Sequence, residues 1–104
     1  MPVLYTERAE ADLDQIAAYT RDKWGAAQCA RYVESIGGCC RALADGSLSG
    51  RIHSTEWIYF RYRCRKHVIF YRHVDPATVL IVRVLHQRML PELHLANAED
   101  SISR

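Results

Sequence analysis

The sequence is short of several things that would place it outside the ordinary globular class. No apolar run approaches the roughly 20 residues that a helix needs to cross a bilayer. The longest, beginning at Val79, is interrupted by Arg83, so no membrane segment is expected. The start, MPVLYTERAEADL, has no basic stretch followed by an apolar core, so no secretory signal is read there and the expected location is the cytoplasm. There are four cysteines but no C-x-x-C spacing: Cys39 and Cys40 are adjacent, Cys29 lies ten residues before Cys39, and Cys64 stands alone. That pattern excludes a zinc or dithiol motif and predicts buried, reduced thiols. His53, His73 and His94 are not spaced as metal ligands either, and no metal or other cofactor is expected. Repeats and low-complexity segments are absent.

What is present is one domain's worth of chain. The 104 residues are 49% hydrophobic and 25% charged, the balance of a soluble single-core protein. We treat residues 1–104 as one domain, with a tail from about residue 90.

The formal charge of +2 conceals an asymmetry. Residues 1–50 are net −2, residues 51–94 are net +5 and hold all five histidines, and residues 95–104 are net −1. In the basic segment seven of the eight cations are arginine and one, Lys66, is lysine. Arginine's planar fork suits phosphate or carboxylate better than an ammonium does. The first half therefore reads as scaffold and the second as a surface for something anionic.

Hydrophobic periodicity gives the elements. PVLYT, residues 2–6, is extended. Thr6 then offers a helix N-cap, with Glu7 and Glu10 in the first turn where the helix dipole favours them. Ala9, Leu13, Ile16, Ala17, Thr20 and Trp24 form one stripe of an amphipathic helix, with Asp12, Asp14 and Asp22 off it. Gly25 ends that helix. A second runs from about Ala26 to Ala44, and a two-residue break between them implies an antiparallel hairpin. Gly37 and Gly38 fall within the second helix, where they weaken it or permit close approach to the first.

From Glu56 the period becomes two. Ile58, Phe60, Tyr62 and Cys64 face one way, and Trp57, Tyr59, Arg61 and Arg63 the other. HVIFYRHV is the next strand, Asp75-Pro76 a turn, and VLIVRVLHQRM the last strand. A short helix is expected after Pro91 and a frayed end at SISR. The order is β-α-α-β-β-β, an α+β fold with a helical hairpin packed on an antiparallel sheet.

Arg83 is the anomaly, a cation inside an apolar strand. It is a structural ion paired with a carboxylate, a contact to a target, or a group that binds phosphate. In each case the sheet is expected to keep an open, basic side. His86 reads as a hydrogen-bonded strand-end histidine, and Tyr19 and Trp24 as hairpin packing.

Four motifs in order, ADLDQIAAYTRDKWG, GR at Gly50-Arg51, HVIFYR and RVLHQRM, resemble the RelE/ParE superfamily of type II toxin–antitoxin toxins, most closely the ParE branch. The resemblance runs from about residue 3 to residue 95. It implies a bacterial toxin that inhibits DNA gyrase and so replication, serves plasmid or chromosome stabilisation, and is neutralised by a ParD-like antitoxin that folds as it wraps the toxin. The alternatives on the same fold are a ribosome-dependent mRNA endonuclease of the RelE kind and a non-toxic antitoxin-binding module. RNA cleavage needs a base, an acid and cations, and the sequence offers no convincing second acid–base partner for His86. The implied protein is therefore an inhibitor rather than an enzyme, with no sequence-specific DNA binding of its own. The target-binding candidates are Arg61, Arg83, His86, Arg88 and Met89. The antitoxin-binding candidates are Leu13, Tyr19, Trp24, Tyr32 and Val33.

Overall fold

The computed structural model describes residues 3–54, 59–95 and 98–99. Its elements are β1 (Val3–Tyr5), α1 (Glu7–Trp24), α2 (Ala26–Asp45), β2 (Arg51–Ser54), β3 (Tyr59–Cys64), β4 (His67–Asp75) and β5 (Thr78–His86), followed by a single 3-10 turn at Pro91–Leu93. The α+β class is the expected one. The sheet differs in two respects. It has a fifth strand, β2, and it is mixed: the order is β1-β5-β4-β3-β2, with β1 parallel to β5 and the other neighbours antiparallel. The short helix expected after Pro91 is only the 3-10 turn. SISR and the side chains of Trp57 and Ile58 lie outside the described residues.

The helices form where capping and periodicity place them. Thr6 accepts the Ala9 N–H at 3.0 Å, and Gly25, at φ 95°, is the whole connection between the helices. That left-handed backbone suits only glycine without strain, and it replaces the expected two-residue break. Ala9 and Ile16 of α1, with Ile36, Cys40 and Leu43 of α2, are buried against the sheet. They meet Ile69 and Tyr71 of β4 and Val79, Ile81 and Val84 of β5. Phe60, Tyr62 and Cys64 of β3 point to the same side, as their alternation predicts.

The other side of the sheet is not open. Tyr59, Phe70, Leu80, Val82 and Leu85 form a second apolar layer, and the chain after β5 crosses it with Leu95 and Ala98, each 1% exposed. Glu99 fastens this crossing. It accepts from Arg72 Nε at 3.0 and 3.1 Å and from Arg72 Nη2 at 2.8 Å, and the Tyr59 hydroxyl also donates to it. Arg72 holds the Glu99 carboxyl below its usual range, against the opposing effect of burial. The expected open, basic face is thus confined to the part that this segment leaves uncovered.

Three glycines have different reasons to exist. Gly37 and Gly38 do not face α1: a Cβ there would touch only the flexible Arg41 guanidinium, at 3.4 and 3.8 Å. Gly50 is sterically required, because a Cβ would overlap the Arg61 carbonyl and crowd the Tyr71 hydroxyl at 2.8 Å, to which Gly50 N–H donates at 2.7 Å. Chemical denaturation should show Gly50→Ala destabilising by about 1–3 kcal/mol, whereas Gly37→Ala should stabilise by up to about 1 kcal/mol.

Candidate functional site

Arg83 sits at a fault in the sheet. The β4–β5 register pairs Phe70 with Arg83 but Tyr71 with Ile81, so Val82 is an extra residue, a bulge. Residues 79, 81 and 84 face the helices, while 80, 82 and 85 face the second layer. β1 pairs with β5 only as far as Ile81, and beyond that point α1 supplies the missing partners. Thr6 Oγ1 donates to Val82 O at 2.8 Å, and the Val84 N–H donates to Asp12 Oδ2 at 3.0 Å. Arg83 completes the arrangement, donating from Nε and Nη2 to the two Asp12 oxygens at 2.7 and 2.8 Å and from Nη1 to His94 O at 3.0 Å. Both side chains of the pair are 11% exposed. These contacts describe the structural reading of Arg83. Asp12, set aside in sequence as an off-stripe helix residue, is its counter-ion.

The remaining target candidates do not form one cluster. His86 lies on the helix side, where its ring meets His67 edge-on at 5.3 Å, and its Nδ1 accepts from Arg88 N–H at 3.2 Å. Arg88 and Met89 are exposed in the turn after β5, close to exposed Leu90 and Leu93. Arg61 lies on the opposite side with Arg63. Arg51 is paired directly across from Arg61 in the β2–β3 ladder, an arrangement of like charges that a sheet disfavours. Arg51, Arg61 and Arg63, with Val68 and Gln87, line an open groove of about 540 Å³. None of these three arginines forms an ion pair among the described residues. Sequence reasoning named only Arg61 as a contact; alternation put Arg63 on the same side, and what was missing was the pairing that brings Arg51 opposite Arg61.

The antitoxin candidates also divide. Tyr19 and Trp24 are 63% and 65% exposed, so they do not pack inside the hairpin as expected; they occupy the outer face and last turn of α1. Leu13 and Tyr32 pack against the core, and Val33 is half-buried. Tyr32 ties α2 to the β3–β4 turn. Its oxygen accepts the Lys66 N–H at 3.2 Å, and its hydroxyl lies 2.6 Å from His67 Nδ1. One proton lies between the Tyr32 hydroxyl and His67 Nδ1, and the imidazole tautomer sets which of the two donates it. Burial, with the neighbouring His86, pushes His67 down to about 4, only partly opposed by Asp12. Among the described residues no group of three or more His, Cys, Asp or Glu converges as a metal site, and no helix is long and apolar enough to cross a membrane.

Residues 3–91 match the family model for the ParE toxin of type II toxin–antitoxin system, parDE. The chain belongs to the ParE toxin family. Toxin ParE1 of Caulobacter vibrioides is 35% identical over 96 residues, covering 90% of this chain and 97% of that one. Toxin ParE of Escherichia coli is 39% identical over 89 residues, covering 83% and 84%. A solved chain of the chromosomal ParDE toxin–antitoxin system from P. aeruginosa superposes with a TM-score of 0.69 at 20% identity, covering 83% of this chain and 95% of that one. That likeness extends the family assignment to the fold.

Two measurements probe this framework. Arg83→Ala strands the Asp12 carboxylate in a mostly buried site and should cost roughly 3–5 kcal/mol in denaturant titration. Asp12→Asn should cost less when combined with Arg83→Ala than the separate losses predict, as expected for directly coupled partners. The depressed folded pKa of His67 means that the unfolded chain binds the extra proton between pH 6.5 and about 4. Stability from this group is therefore present above pH 6.5 and declines as pH falls through that window. Thermal melts of His67→Gln, which keeps an acceptor but cannot titrate, should show a shallower loss over the same range.

Proposed function

We propose that this ParE-family toxin inhibits DNA gyrase through the arginine groove and is silenced by a ParD-like antitoxin that covers the outer face of α1. The observation that carries the reading is the opposed pair Arg51–Arg61 with Arg63 beside it, together with membership of a family defined by the parDE system. Three exposed guanidinium groups along one groove repel one another and favour a polyanionic or carboxylate-bearing target. Arg88 and Met89 follow Gln87, which lines the groove, and offer a separate exposed cation and apolar contact. Arg83 donates to Asp12 and His94 O, and these engaged donors leave little for a target.

Inhibition without chemistry accords with where His67 and His86 lie. His67 and His86 are on the helix side, and the groove arginines are on the other. A nuclease needs a proton-transfer group beside its cations. His53 is the histidine on which a ribonuclease reading would rest, since its ring lies edge-on to Phe70 at 5.1 Å on the groove side. For the antitoxin, Tyr19 and Trp24 are the exposed aromatic anchors, while Leu13 and Tyr32 act from the core side of the hairpin and Val33 is half-buried. An acidic antitoxin segment would be drawn by the positive half of the chain, gaining mainly in association rate.

Induced expression of the toxin should halt DNA replication and raise the DNA-damage response while bulk translation continues. Combined Arg61→Ala and Arg63→Ala should reduce growth inhibition at least tenfold without lowering the melting temperature or antitoxin co-purification. Early loss of translation with cut mRNA, abolished by His53→Ala, would establish the ribonuclease reading instead.

A further inference from the structure

Cys39 on α2 and Cys64, the last residue of β3, place their sulfurs 2.8 Å apart. A disulfide spans about 2.05 Å, so less than an ångström of side-chain movement separates these free thiols from a bond. The backbone around them is already fixed. Cys64 Sγ contacts Ser35 O at 3.7 Å, and Tyr32 holds both Lys66 N–H and His67 just beyond the strand. The other two thiols are engaged elsewhere: Cys40 is fully buried beside Tyr5, and Cys29 donates to Ala17 O at 3.3 Å.

The pair is also accessible. A shallow depression of about 510 Å³ opens over it, bordered by Gly38, Leu48, Arg63 and Arg65. Gly38 places no side chain over the approach to Cys39. Cys39 is half-exposed while Cys64 is buried, and burial raises the Cys64 thiol further above its ordinary range than Arg65 lowers it.

We propose that Cys39 and Cys64 are a reversible disulfide site that takes a low-molecular-weight disulfide as its oxidant. Cys39 gives its proton to solvent, and its thiolate attacks one sulfur of the oxidant, releasing one thiolate. Cys64 then loses its proton and attacks the Cys39 sulfur of the mixed disulfide, releasing the second. Two protein thiols are oxidised and the oxidant is reduced to two thiols, which take up the two protons. The new bond joins α2 to β3 across the segment that carries Gly50, Arg51 and Arg61, so it ties the groove's outer strands to the helical hairpin. The site stands on geometry alone and is independent of whether gyrase is the target.

The full chain, equilibrated in oxidised and reduced glutathione, acid-quenched and alkylated under denaturing conditions, tests this. Intact mass should show the loss of two hydrogens with only Cys29 and Cys40 alkylated, and peptide mapping should link Cys39 to Cys64. The oxidised form should melt about 10 °C higher, and reduction should restore the original value. Cys39→Ser and Cys64→Ser should each abolish both effects, and Cys29→Ser neither. Alkylation of all four cysteines at every glutathione ratio would overturn the proposal. So would a stable glutathione adduct on Cys39, or a link to a different partner.

Discussion

The Asp12 carboxylate holds together parts of the molecule that no backbone ladder connects. β5 loses its parallel neighbour at Ile81, and an exposed row of strand donors would follow if nothing replaced β1. Asp12 takes the Val84 N–H and grips Arg83, whose third donor reaches His94 on the far-side segment. One helix residue thus fixes α1 against the sheet edge, accommodates the bulge at Val82, and anchors the chain that follows β5. The pair need not add net stability, since desolvating both ions offsets much of their attraction. Its contribution is geometric: other registers of α1 on β5 leave a buried charge without a partner.

The two sides of the sheet consequently have separate duties. The helix side is sealed by aliphatic packing, with one polar chain running from Tyr32 through His67 to His86. The far side is covered along its centre by Leu95 and Ala98 and fastened by Glu99 on Arg72 and Tyr59. What remains is the β2–β3 end, where arginine side chains stand in water. The groove therefore lies beside the covered centre and is lined by β2, β3 and the loop before them, with Val68 and Gln87.

Much of this was legible in residue order. The apolar stripe beginning at Ala9, the cap at Thr6 and the stop at Gly25 gave the hairpin to within a residue, because helix periodicity and capping are local. Alternation in YFRYRC assigned Arg61 and Arg63 to one side and Cys64 to the other. β2 escaped because four residues with the sequence RIHS carry no usable period. The bulge at Val82 escaped because the apolar run Val79–Val82 looks the same with or without an inserted residue. Arg83 announced that it needed a counter-ion, but nothing local distinguishes Asp12 from Asp14 or Asp22 on the same helix. Glu99 lay in a stretch too short and too polar to suggest that it closes a second apolar layer. Long-range pairings of this kind leave no trace in nearest-neighbour patterns. The family motifs located the fold without revealing which motif residues meet.

The parallel pairing of β1 with β5 has a consequence for how the chain is made. The first three residues of the sheet must wait for the last strand, with Thr6 bonding Val82 across 76 positions. Such closure is entropically expensive and slow relative to the local hairpin. A ribosome delivers residues in order, so α1 and α2 emerge long before the strand edge against which they belong. The seal over the far side comes later still, because Leu95 and Glu99 follow β5 in the chain. Until both are in place the helical hairpin has an unpaired leading strand, and neither the second apolar layer nor the arginine groove can form.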